Sequence, residues 1–322
     1  MQRRQGRFGT GRNVSSRDLG QLPACSKTAR PAAPHIPSRV LVGHRSFEQN
    51  VAGEWEGASA TFSQQGSPLQ LPDSLVPQAL REWDMVPYDW QTQVNMRGIE
   101  GGIEYTVMRL SPTTGCEADA IAQKEAAVKL SRSTDAASMR IVSNDNGSYT
   151  ACSPALAAGA RAEHCFLTDA HERIRVVQQL SSLEDGWVAK TIEVHHERRA
   201  GEPLEHGRML DLRENVSTFA ETPRLDASSV PEDWKVEGGA CGFFAGQDAA
   251  PVCSSRIPAR WPKRDRSKLL GLPLGLWSCV CGNKKQLECE AGILLQDGRI
   301  GASVATFESG SLCSATNCHG SS

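Results

Sequence analysis

The feature that most constrains the fold of this chain is a series of short segments in which apolar and polar residues alternate. In HERIRVVQQL, Ile174 and Val176 fall on one face of an extended strand. Arg173 and Arg175 fall on the other face, and turn signals such as NDNGS and LEDGW separate the segments. Eight segments of this kind are found at 53–63, 89–98, 103–112, 138–143, 147–152, 162–168, 171–181 and 186–198.

Eight strands in sequence-adjacent pairs predict a mainly β fold with an up-and-down barrel over residues 47–199, because closure of the sheet removes its exposed edges. Helix is scarce. The clearest helical candidate is EADAIAQKEAAVKLSR (117–132), which is rich in Ala, Glu and Lys and poor in β-branched residues.

The sequence changes character after residue 199, where prolines are spread through a polar stretch. Strand-like patterns return at 275–281, 287–296 and 299–308. We therefore expect a smaller or incomplete second β-domain over 200–310, with an irregular entry, followed by a loose tail over 311–322.

The first 46 residues differ in composition from the rest of the chain. They contain nine basic residues and one acid, Asp18, and they lack the continuous apolar core of a secretory signal. This composition predicts an organellar transit peptide. A disordered basic arm that binds nucleic acid or membrane is the alternative.

The remaining body of the chain is acidic. Removing the nine basic residues and one acid of 1–46 from the totals of 35 and 37 leaves a net charge of about −10. A nucleic-acid binder needs a positive surface to replace counterions on phosphates, so we expect no nucleic-acid partner. No apolar run reaches the roughly 18 residues needed to cross a bilayer, so no membrane span is expected.

Local catalytic motifs are missing from the sequence. It contains no Gly-x-Ser-x-Gly elbow, phosphate-binding loop, dinucleotide-binding glycine motif or His-Glu-x-x-His, and we expect neither enzymatic activity nor a cofactor. Glu193 and Glu197 share a strand face with His195, which is compatible with acid–base chemistry, but an exposed polar face explains them more simply. The adjacent His195 and His196 point to opposite faces and are expected at the surface or rim, as are His164 and His171.

The eleven cysteines do not follow the spacing of a disulfide scaffold or of paired Cys-x-x-Cys zinc knuckles. Free thiols in a reducing compartment are expected, and no metal site. A redox-sensitive thiol pair remains an alternative for the group Cys279, Cys281, Cys289, Cys313 and Cys318.

One stretch, REWDMVPYDW, concentrates aromatic residues among charges. Trp83, Tyr88 and Trp90 could cap the barrel core or, if exposed, anchor a protein partner, because aromatic residues dominate binding hot spots.

Several longer strings resemble a known family. The longest string, GEWEGASATFSQQGSPLQLPDSLVPQALREWDMVPYDWQTQ, begins at Gly53 and includes Trp55. The others are PTTGCEADA, DNGSYT and ERIRVVQQL, and a weaker likeness continues in LPLGLWS and EAGILLQDGR. Together they resemble a two-domain calycin (lipocalin-like) family of plastids and cyanobacteria, formerly a domain of unknown function. Its land-plant member is a biogenesis factor for the chloroplast ATP synthase.

This resemblance implies a non-enzymatic assembly factor, a chaperone of the chloroplast stroma. Its expected partners are nascent catalytic-head subunits of the ATP synthase, β and γ. The resemblance also implies that Trp55, after Gly53, plugs the closed end of the first barrel.

The sequence is also compatible with two other functions. Calycin barrels often hold hydrophobic ligands, so the chain could carry a small hydrophobic molecule or a tetrapyrrole chromophore, with Arg173 or Arg175 meeting a carboxylate. An enzyme with a site that leaves no local motif is the third possibility.

Overall fold

The structure analysed is a computed structural model. The segment predicted to be a transit peptide, 1–46, lies outside the residues that it describes. The described residues all belong to the unit Ser38–Ser322, one of two into which the chain divides. They are 49–84, 86–99, 102–110, 125–130, 139–201, 219–244, 252–254, 257–263 and 265–321.

The first sheet is antiparallel. Its strands are β1 (Gly53–Ser63), β2 (Asp89–Ile99), β3 (Gly102–Leu110), β4 (Glu125–Leu130), β5 (Arg140–Ser143), β6 (Tyr149–Cys152), β7 (Arg161–Leu167), β8 (Glu172–Ser182) and β9 (Trp187–Arg199). They lie in the order β4-β3-β2-β1-β9-β8-β7-β6-β5. Every neighbouring pair is adjacent in sequence except β1 beside β9, as the alternating pattern predicts.

The helix predicted over 117–132 is wrong for the part of it that the structure describes. Glu125–Leu130 forms strand β4, which pairs with β3 in the register Tyr105↔Leu130 to Leu110↔Glu125. Helix propensity is a weak preference, and a ladder of hydrogen bonds along the edge of β3 outweighs it here. The remaining residues of the predicted helix lie outside the described part of the chain.

The second sheet is also antiparallel. Its strands are β10 (Trp234–Phe243), β11 (Val252–Ser254), β12 (Arg260–Trp261), β13 (Leu270–Leu272), β14 (Leu276–Gly282), β15 (Gln286–Leu294), β16 (Arg299–Glu308) and β17 (Ser311–Ser321). The order is β11-β10-β17-β16-β15-β14-β13, and β12 pairs separately with β10.

The loose tail predicted over 311–322 is wrong for Ser311–Ser321, because this segment is β17, inside the second sheet between β10 and β16. The sequence SLCSATNCHGS contains a single large apolar residue, Leu312, and therefore lacks the alternating pattern that marks a strand. Small residues are required at this position: a Cβ on Gly320 would lie 2.8 Å from the Trp234 ring.

The first sheet curls so that strands far apart in its order share one interior cluster. Trp55 of β1, Val94 of β2 and Val107 of β3 pack in the same buried cluster as Ile141 of β5 and Tyr149 of β6. Among the described residues no pairing joins the end strands β4 and β5. The sheet is therefore a half-barrel, and the closed barrel predicted from the sequence is not observed in this part of the chain.

The outer face of the half-barrel packs against the second sheet, and we call this buried layer the seam. Phe62 of β1, Val176 of β8 and Ile192 of β9 form one hydrophobic cluster with Leu276 and Ile293 of the second sheet. Strands β8 and β9 are consequently buried on both faces.

Helical structure is short in the described residues. It comprises the α-helical residues 49–50, the α-helix α1 (Gln78–Glu82), and 3-10 turns at Asp73–Leu75, Phe219–Glu221, Ala227–Ser229 and Arg266–Lys268. Among these residues, no helix has the length and apolar character needed to cross a bilayer.

Candidate functional site

Trp55 lies inside the half-barrel at the start of β1. Its indole Nε1 donates a hydrogen bond to the Val51 carbonyl at 2.9 Å, and 1% of the residue is exposed. The guanidinium groups of Arg173 and Arg199 lie over its ring, with Cζ 4.0 and 4.7 Å from the centroid. Gly53 has a φ of +119°, which favours glycine at the position where the chain enters the strand.

The two arginines predicted as ligand-pocket residues, Arg173 and Arg175, are fully buried on the inner face of the half-barrel. Arg173 Nε donates to Glu197 Oε2 at 2.6 Å, and Arg175 Nε donates to the same oxygen at 2.9 Å. Arg175 Nη1 also donates to Glu163 Oε1 at 3.1 Å, and this oxygen accepts a 2.7 Å hydrogen bond from the Tyr149 hydroxyl. Two positive and two negative side chains thus compensate one another, and we call these four residues and Tyr149 the charged cluster.

The charged cluster determines the ionisation of its carboxylates. Burial disfavours the charged form of Glu197, but the adjacent Arg173 and Arg175 outweigh this effect and hold the pKa of Glu197 well below its usual range. Both arginines are engaged by carboxylates of the chain itself, and a ligand carboxylate would have to displace these partners.

The exposed polar face expected around His195 is wrong. His195 is 3% exposed and Glu197 is 1% exposed. His195 Nε2 lies 3.3 Å from Glu193 Oε1, and its Nδ1 lies 3.7 Å from Glu197 Oε1. Burial and the charge of Arg175 lower the pKa of His195 to about 4, so this imidazole is neutral near pH 7.

His196, the neighbour of His195, belongs to the opposite face. It contacts the Glu172 carboxylate through Nε2 and meets the Phe219 ring edge-on. His164, expected at the surface or rim, is fully buried in the seam. The surface expectation fails because the second sheet covers the outer face of β7 to β9, which local sequence patterns do not indicate.

A neutral polar network crosses the seam. His164 Nδ1 lies 2.7 Å from Ser303 Oγ, and His164 Nε2 lies 3.3 Å from Gln178 Oε1. Ser303 also contacts the Thr150 hydroxyl, and Gln178 Nε2 donates to Ser278 Oγ at 2.8 Å. We call these five residues the seam network.

The seam network resembles a nucleophile–base relay in geometry, with a serine, a histidine and an orienting amide. However, Ser303, His164 and Gln178 have no exposed surface. A substrate cannot reach this serine without separation of the sheets, so the arrangement joins the sheets rather than serving chemistry. Burial lowers the pKa of His164 to about 4. Sequence reasoning missed this network because its members come from strands up to 153 residues apart.

A buried carboxyl group, Asp89, also lies at the seam. Its Oδ2 accepts a hydrogen bond from the Phe219 backbone at 2.9 Å. Burial raises the pKa of Asp89 to about 7, although backbone hydrogen bonds from Phe219 and Ala220 oppose the shift. Asp89 therefore ties the segment that precedes the second sheet to strand β2.

The segment between β1 and β2 folds over a small hydrophobic cluster of its own. Leu71, Val76 and Leu80 are buried together, and Trp90 packs against them half-buried. Pro72 and Pro77 precede the 3-10 turn and α1, where a proline has no hydrogen bond to lose. The Leu71 amide donates to the Pro87 carbonyl at 3.0 Å and closes the segment.

This cluster leaves three large apolar residues on the outside, which we call the Trp83 surface. Trp83, at the C-terminal end of α1, is 65% exposed, while Leu69 and Val86 are each 40% exposed. Leu69 and Val86 lie close in sequence to the two ends of the Leu71–Pro87 hydrogen bond. Exposed charged residues on and beside α1 border Trp83, namely Arg81, Glu82 and Asp84.

The three aromatic residues predicted to bind a partner thus occupy different environments. Trp83 is exposed, whereas Tyr88 is half-buried against the seam and Trp90 is half-buried against the small cluster. Leu69 and Val86 were not predicted. The signal in the sequence that could have indicated their exposure is their position next to Pro68 and Pro87, outside any alternating pattern of apolar and polar residues.

An open groove of about 300 Å³ lies on the outer face of β1 to β3. Its polar lining comes from Glu54, Glu56, Gln93, Asn95 and Thr106. Glu56 is engaged by Arg198 at 3.0 Å. The groove opens on the side of the sheet opposite to the charged cluster, so Arg173 and Arg175 do not line it.

No group of three or more His, Cys, Asp or Glu side chains in the described residues is arranged to hold a metal ion. Eight cysteines in this part of the chain are free thiols. Cys279 and Cys281 share one face of β14, while Cys289 pairs with Val280 on the other face.

Comparisons with known proteins bear on the fold. No protein-family model matches the chain, and no curated protein matches it significantly. The chain is similar to the crystal structure of a protein of unknown function, from the DUF3598 family, of the cyanobacterium Nostoc punctiforme. The TM-score is 0.51 at 18% sequence identity, over 87% of this chain and 98% of that chain.

A putative outer membrane protein of Bacteroides fragilis is matched over 85% of this chain and 99% of its own, with 9% identity and a TM-score of 0.17. Intact Ap-TbpB is matched over 84% and 61%, with 8% identity and a TM-score of 0.15. Neither likeness informs the fold. The likeness to the cyanobacterial structure concerns the fold alone, and it gives this chain the fold of a protein from a family of unknown function.

Proposed function

We propose that this chain is a non-enzymatic assembly factor of the chloroplast stroma that binds nascent catalytic-head subunits of the ATP synthase. The β and γ subunits are the proposed partners. The motifs that begin at Gly53 support this proposal, because they resemble the plastid and cyanobacterial calycin family whose land-plant member is a biogenesis factor for that enzyme. In this proposal the half-barrel is the calycin domain, and the second sheet belongs to a smaller second domain.

The observation that carries the proposal is the exposure of Trp83. A tryptophan that is 65% exposed leaves a large apolar area in contact with water, and burial of that area on a partner is favourable. Leu69 and Val86 are further exposed apolar residues of the same segment between β1 and β2, and Leu80 of α1 is buried in the small cluster with Leu71 and Val76.

The border of the Trp83 surface suits reversible binding. Protein interfaces combine an apolar centre with a polar rim that excludes water, and Arg81, Glu82 and Asp84 provide polar groups beside Trp83. The acidic body of the chain, with a net charge of about −10 after residue 46, would favour encounters with positively charged surfaces of an unassembled subunit.

Binding of purified β and γ subunits, each titrated against the full chain, tests the proposal. Trp83→Ala should weaken binding at least about tenfold, which corresponds to about 1.4 kcal/mol. Leu183→Ala is the matched control, because Leu183 is a large apolar residue that is 53% exposed in the turn between β8 and β9. This control should change the affinity by less than about twofold.

Three outcomes decide the test. Binding of at least one subunit that is lost with Trp83→Ala but kept with Leu183→Ala supports the proposal. Equal effects of the two substitutions would show that the Trp83 surface is not the binding surface. Failure of the unchanged chain to bind either subunit would overturn the proposal.

The carrier function receives less support. It needs arginine side chains that are available to a ligand carboxylate, and Arg173 and Arg175 are engaged by Glu197 and Glu163. Recovery of a bound tetrapyrrole or lipid from the purified chain, without any ATP synthase subunit, would favour the carrier function instead.

A further inference from the structure

The two sheets of the chain share one strand order. In each sheet the first strand lies beside the last, β1 beside β9 and β10 beside β17. From there both sheets run back through the chain, as β9-β8-β7-β6-β5 and as β17-β16-β15-β14-β13. A buried tryptophan lies at or near the start of the first strand in both sheets, Trp55 in β1 and Trp234 in β10. The second sheet therefore repeats the topology of the first.

The repeat is incomplete on the other side of the first strand. Beyond β2 the first sheet continues with β3 and β4, and β2 and β3 curl over the inner face to meet β5 and β6. In the described residues the second sheet instead ends at β11, which has three residues, while β12 pairs only with the start of β10. The covering that β3 and β4 provide thus has no counterpart in this part of the chain.

The second sheet also has an inner face, which points away from the seam. Leu276 belongs to the seam, and its neighbour Trp277 projects from the opposite face of β14. Trp277 is buried there in one cluster with Trp234 and Trp261, whose rings stack with their centroids 5.6 Å apart. The three tryptophans close one end of the inner face.

A row of five side chains crosses the other end of this inner face. Its members are directly paired residues from β11, β10, β17, β16 and β15, namely Val252, Phe243, Ser314, Thr306 and Glu288. The row lies on the inner face, because Glu288 is an even number of positions from Gly292, which pairs with Trp277. We call these five residues the Phe243 surface.

The Phe243 surface is open to solvent and differs in chemistry along its length. At the edge of the sheet Val252 is 64% exposed and Phe243 is 49% exposed, and the other three residues are half-buried. The hydroxyls of Ser314 and Thr306 follow, and the carboxylate of Glu288 forms the far end. This carboxylate makes no salt bridge within the part of the chain that the structure describes. The row thus offers an apolar contact, two hydroxyls and an uncompensated negative charge.

The dimensions of the surface favour a single segment of a partner over a second copy of the chain. Two partly exposed side chains offer on the order of 200 Å² of apolar area, whereas a stable interface buries about 800 Å² on each partner. Phe243 and Glu288 are three strand spacings apart, which is about 14 Å along the sheet. An extended segment covers this distance in about four residues, and residues four apart project from the same side of it.

We propose that the Phe243 surface binds an extended segment of a partner protein that carries a large apolar residue and, about four positions away, an arginine or lysine. The apolar side chain packs on Phe243 and Val252, where its burial is favourable. The cation meets the Glu288 carboxylate, and the hydroxyls between them bond to the backbone of the segment. This surface is separate from the Trp83 surface and does not depend on the function proposed above.

Titration of the full chain with two labelled, capped peptides tests the proposal. The first peptide has leucine and arginine four positions apart with serine and threonine elsewhere, and the second has glutamate in place of arginine. At low ionic strength, fluorescence anisotropy should show saturable binding of the arginine peptide and at least about tenfold weaker binding of the glutamate peptide. Equal binding of the two peptides, or no saturable binding of the arginine peptide, would overturn the proposal.

Reversal of the charge at Glu288 assigns the cation to this end of the surface. Glu288→Lys should reverse the preference, so that the glutamate peptide binds more tightly than the arginine peptide. Glu54→Lys is the matched control, because Glu54 is an exposed carboxylate of the first sheet and the change in charge is the same. Glu288→Gln, a milder change, should weaken binding of the arginine peptide about fivefold. A preference for arginine that persists in both Glu288 variants would contradict the assignment.

Substitution of Phe243 tests the apolar end. Phe243→Ser should weaken binding of the arginine peptide at least about fivefold, because the leucine side chain loses its contact. Leu183→Ser is the control, since Leu183 is a large apolar residue with a similar exposed fraction in the turn between β8 and β9. It should change the affinity by less than about twofold. Equal effects of the two substitutions would place the peptide elsewhere and overturn the proposal.

Discussion

The inner face of the half-barrel and the seam between the sheets are both buried, but they hold polar groups in different ways. The inner face accommodates full charges, because each of Arg173 and Arg175 has a carboxylate partner. The seam network contains neutral groups and no cation. At the seam, burial raises the pKa of the Asp89 carboxyl group to about 7, whereas at Glu197 the adjacent Arg173 and Arg175 outweigh burial and lower the pKa. Burial alone therefore does not determine ionisation in this protein; the presence of a buried counter-charge does.

The largest effect is expected from breaking the charged cluster. Glu197→Gln leaves Arg173 and Arg175 without their shared carboxylate in a site with no exposure, and the free energy of unfolding should fall by about 3–5 kcal/mol. Urea denaturation at pH 7 measures the loss. Asp233→Asn is the control, because its 2.9 Å ion pair with Arg260 is solvent-exposed and should contribute little to stability. Equal losses would show that the arginines find other partners.

The next effect concerns Asp89 and pH. The pKa of Asp89 is about 7 in the folded state against an ordinary value of 3.8, so stability falls as pH rises from 3.8 towards 7, where the carboxyl group ionises in the unfolded chain but stays protonated in the fold. Asp89→Asn removes this dependence. From pH 5 to pH 8, the free energy of unfolding of the Asp89→Asn variant, relative to that of the unchanged chain, should rise by roughly 2–3 kcal/mol. Denaturation at both pH values measures the change, and a constant difference would contradict the shifted pKa.

A smaller effect is expected at His164, where stability is lost as pH falls rather than as it rises. Its pKa of about 4 in the folded state lies below the ordinary histidine value of 6.5, so its contribution to stability is present above pH 6.5 and is lost as pH falls towards 4. His164→Asn should reduce the loss of stability between pH 7 and pH 4.5 by about 2 kcal/mol. The pKa of His195, beside the charged cluster, is also lowered to about 4, and this second histidine is unchanged in the variant. An unchanged pH dependence would show that His164 does not titrate with unfolding.

The smallest effect should come from Ser303→Ala. The substitution removes the hydroxyl that contacts both His164 and Thr150, and the cost should be about 1–2 kcal/mol, because neutral hydrogen bonds contribute less than charged ones. Thermal unfolding detects the change. A loss as large as that of Glu197→Gln would mean that the two buried regions do not differ in strength.

The sequence predicts the strands well where large apolar residues alternate with polar ones, as in β1, β8 and β9. It fails at β4, where Ala, Glu and Lys suggest a helix, and at β17, where small residues give no signal. The periodicity of β8 places Arg173 and Arg175 on one face, but it does not indicate that the opposite face is covered by a second sheet. Such burial depends on residues 100 positions away, as in the contact between Gln178 and Ser278.

The pairing of β1 with β9 has a consequence for how the chain folds. Trp55 lies opposite Arg199 in this pairing, so the central ladder of the half-barrel joins the first and the last strand of the sheet in sequence. Contacts between distant residues slow folding, because the intervening chain must lose its freedom before they form. During synthesis β1 can pair with β2 early, but its other edge stays open until β9 has left the ribosome. In that interval the chain presents an unprotected strand edge, the kind of surface at which nascent β-proteins aggregate.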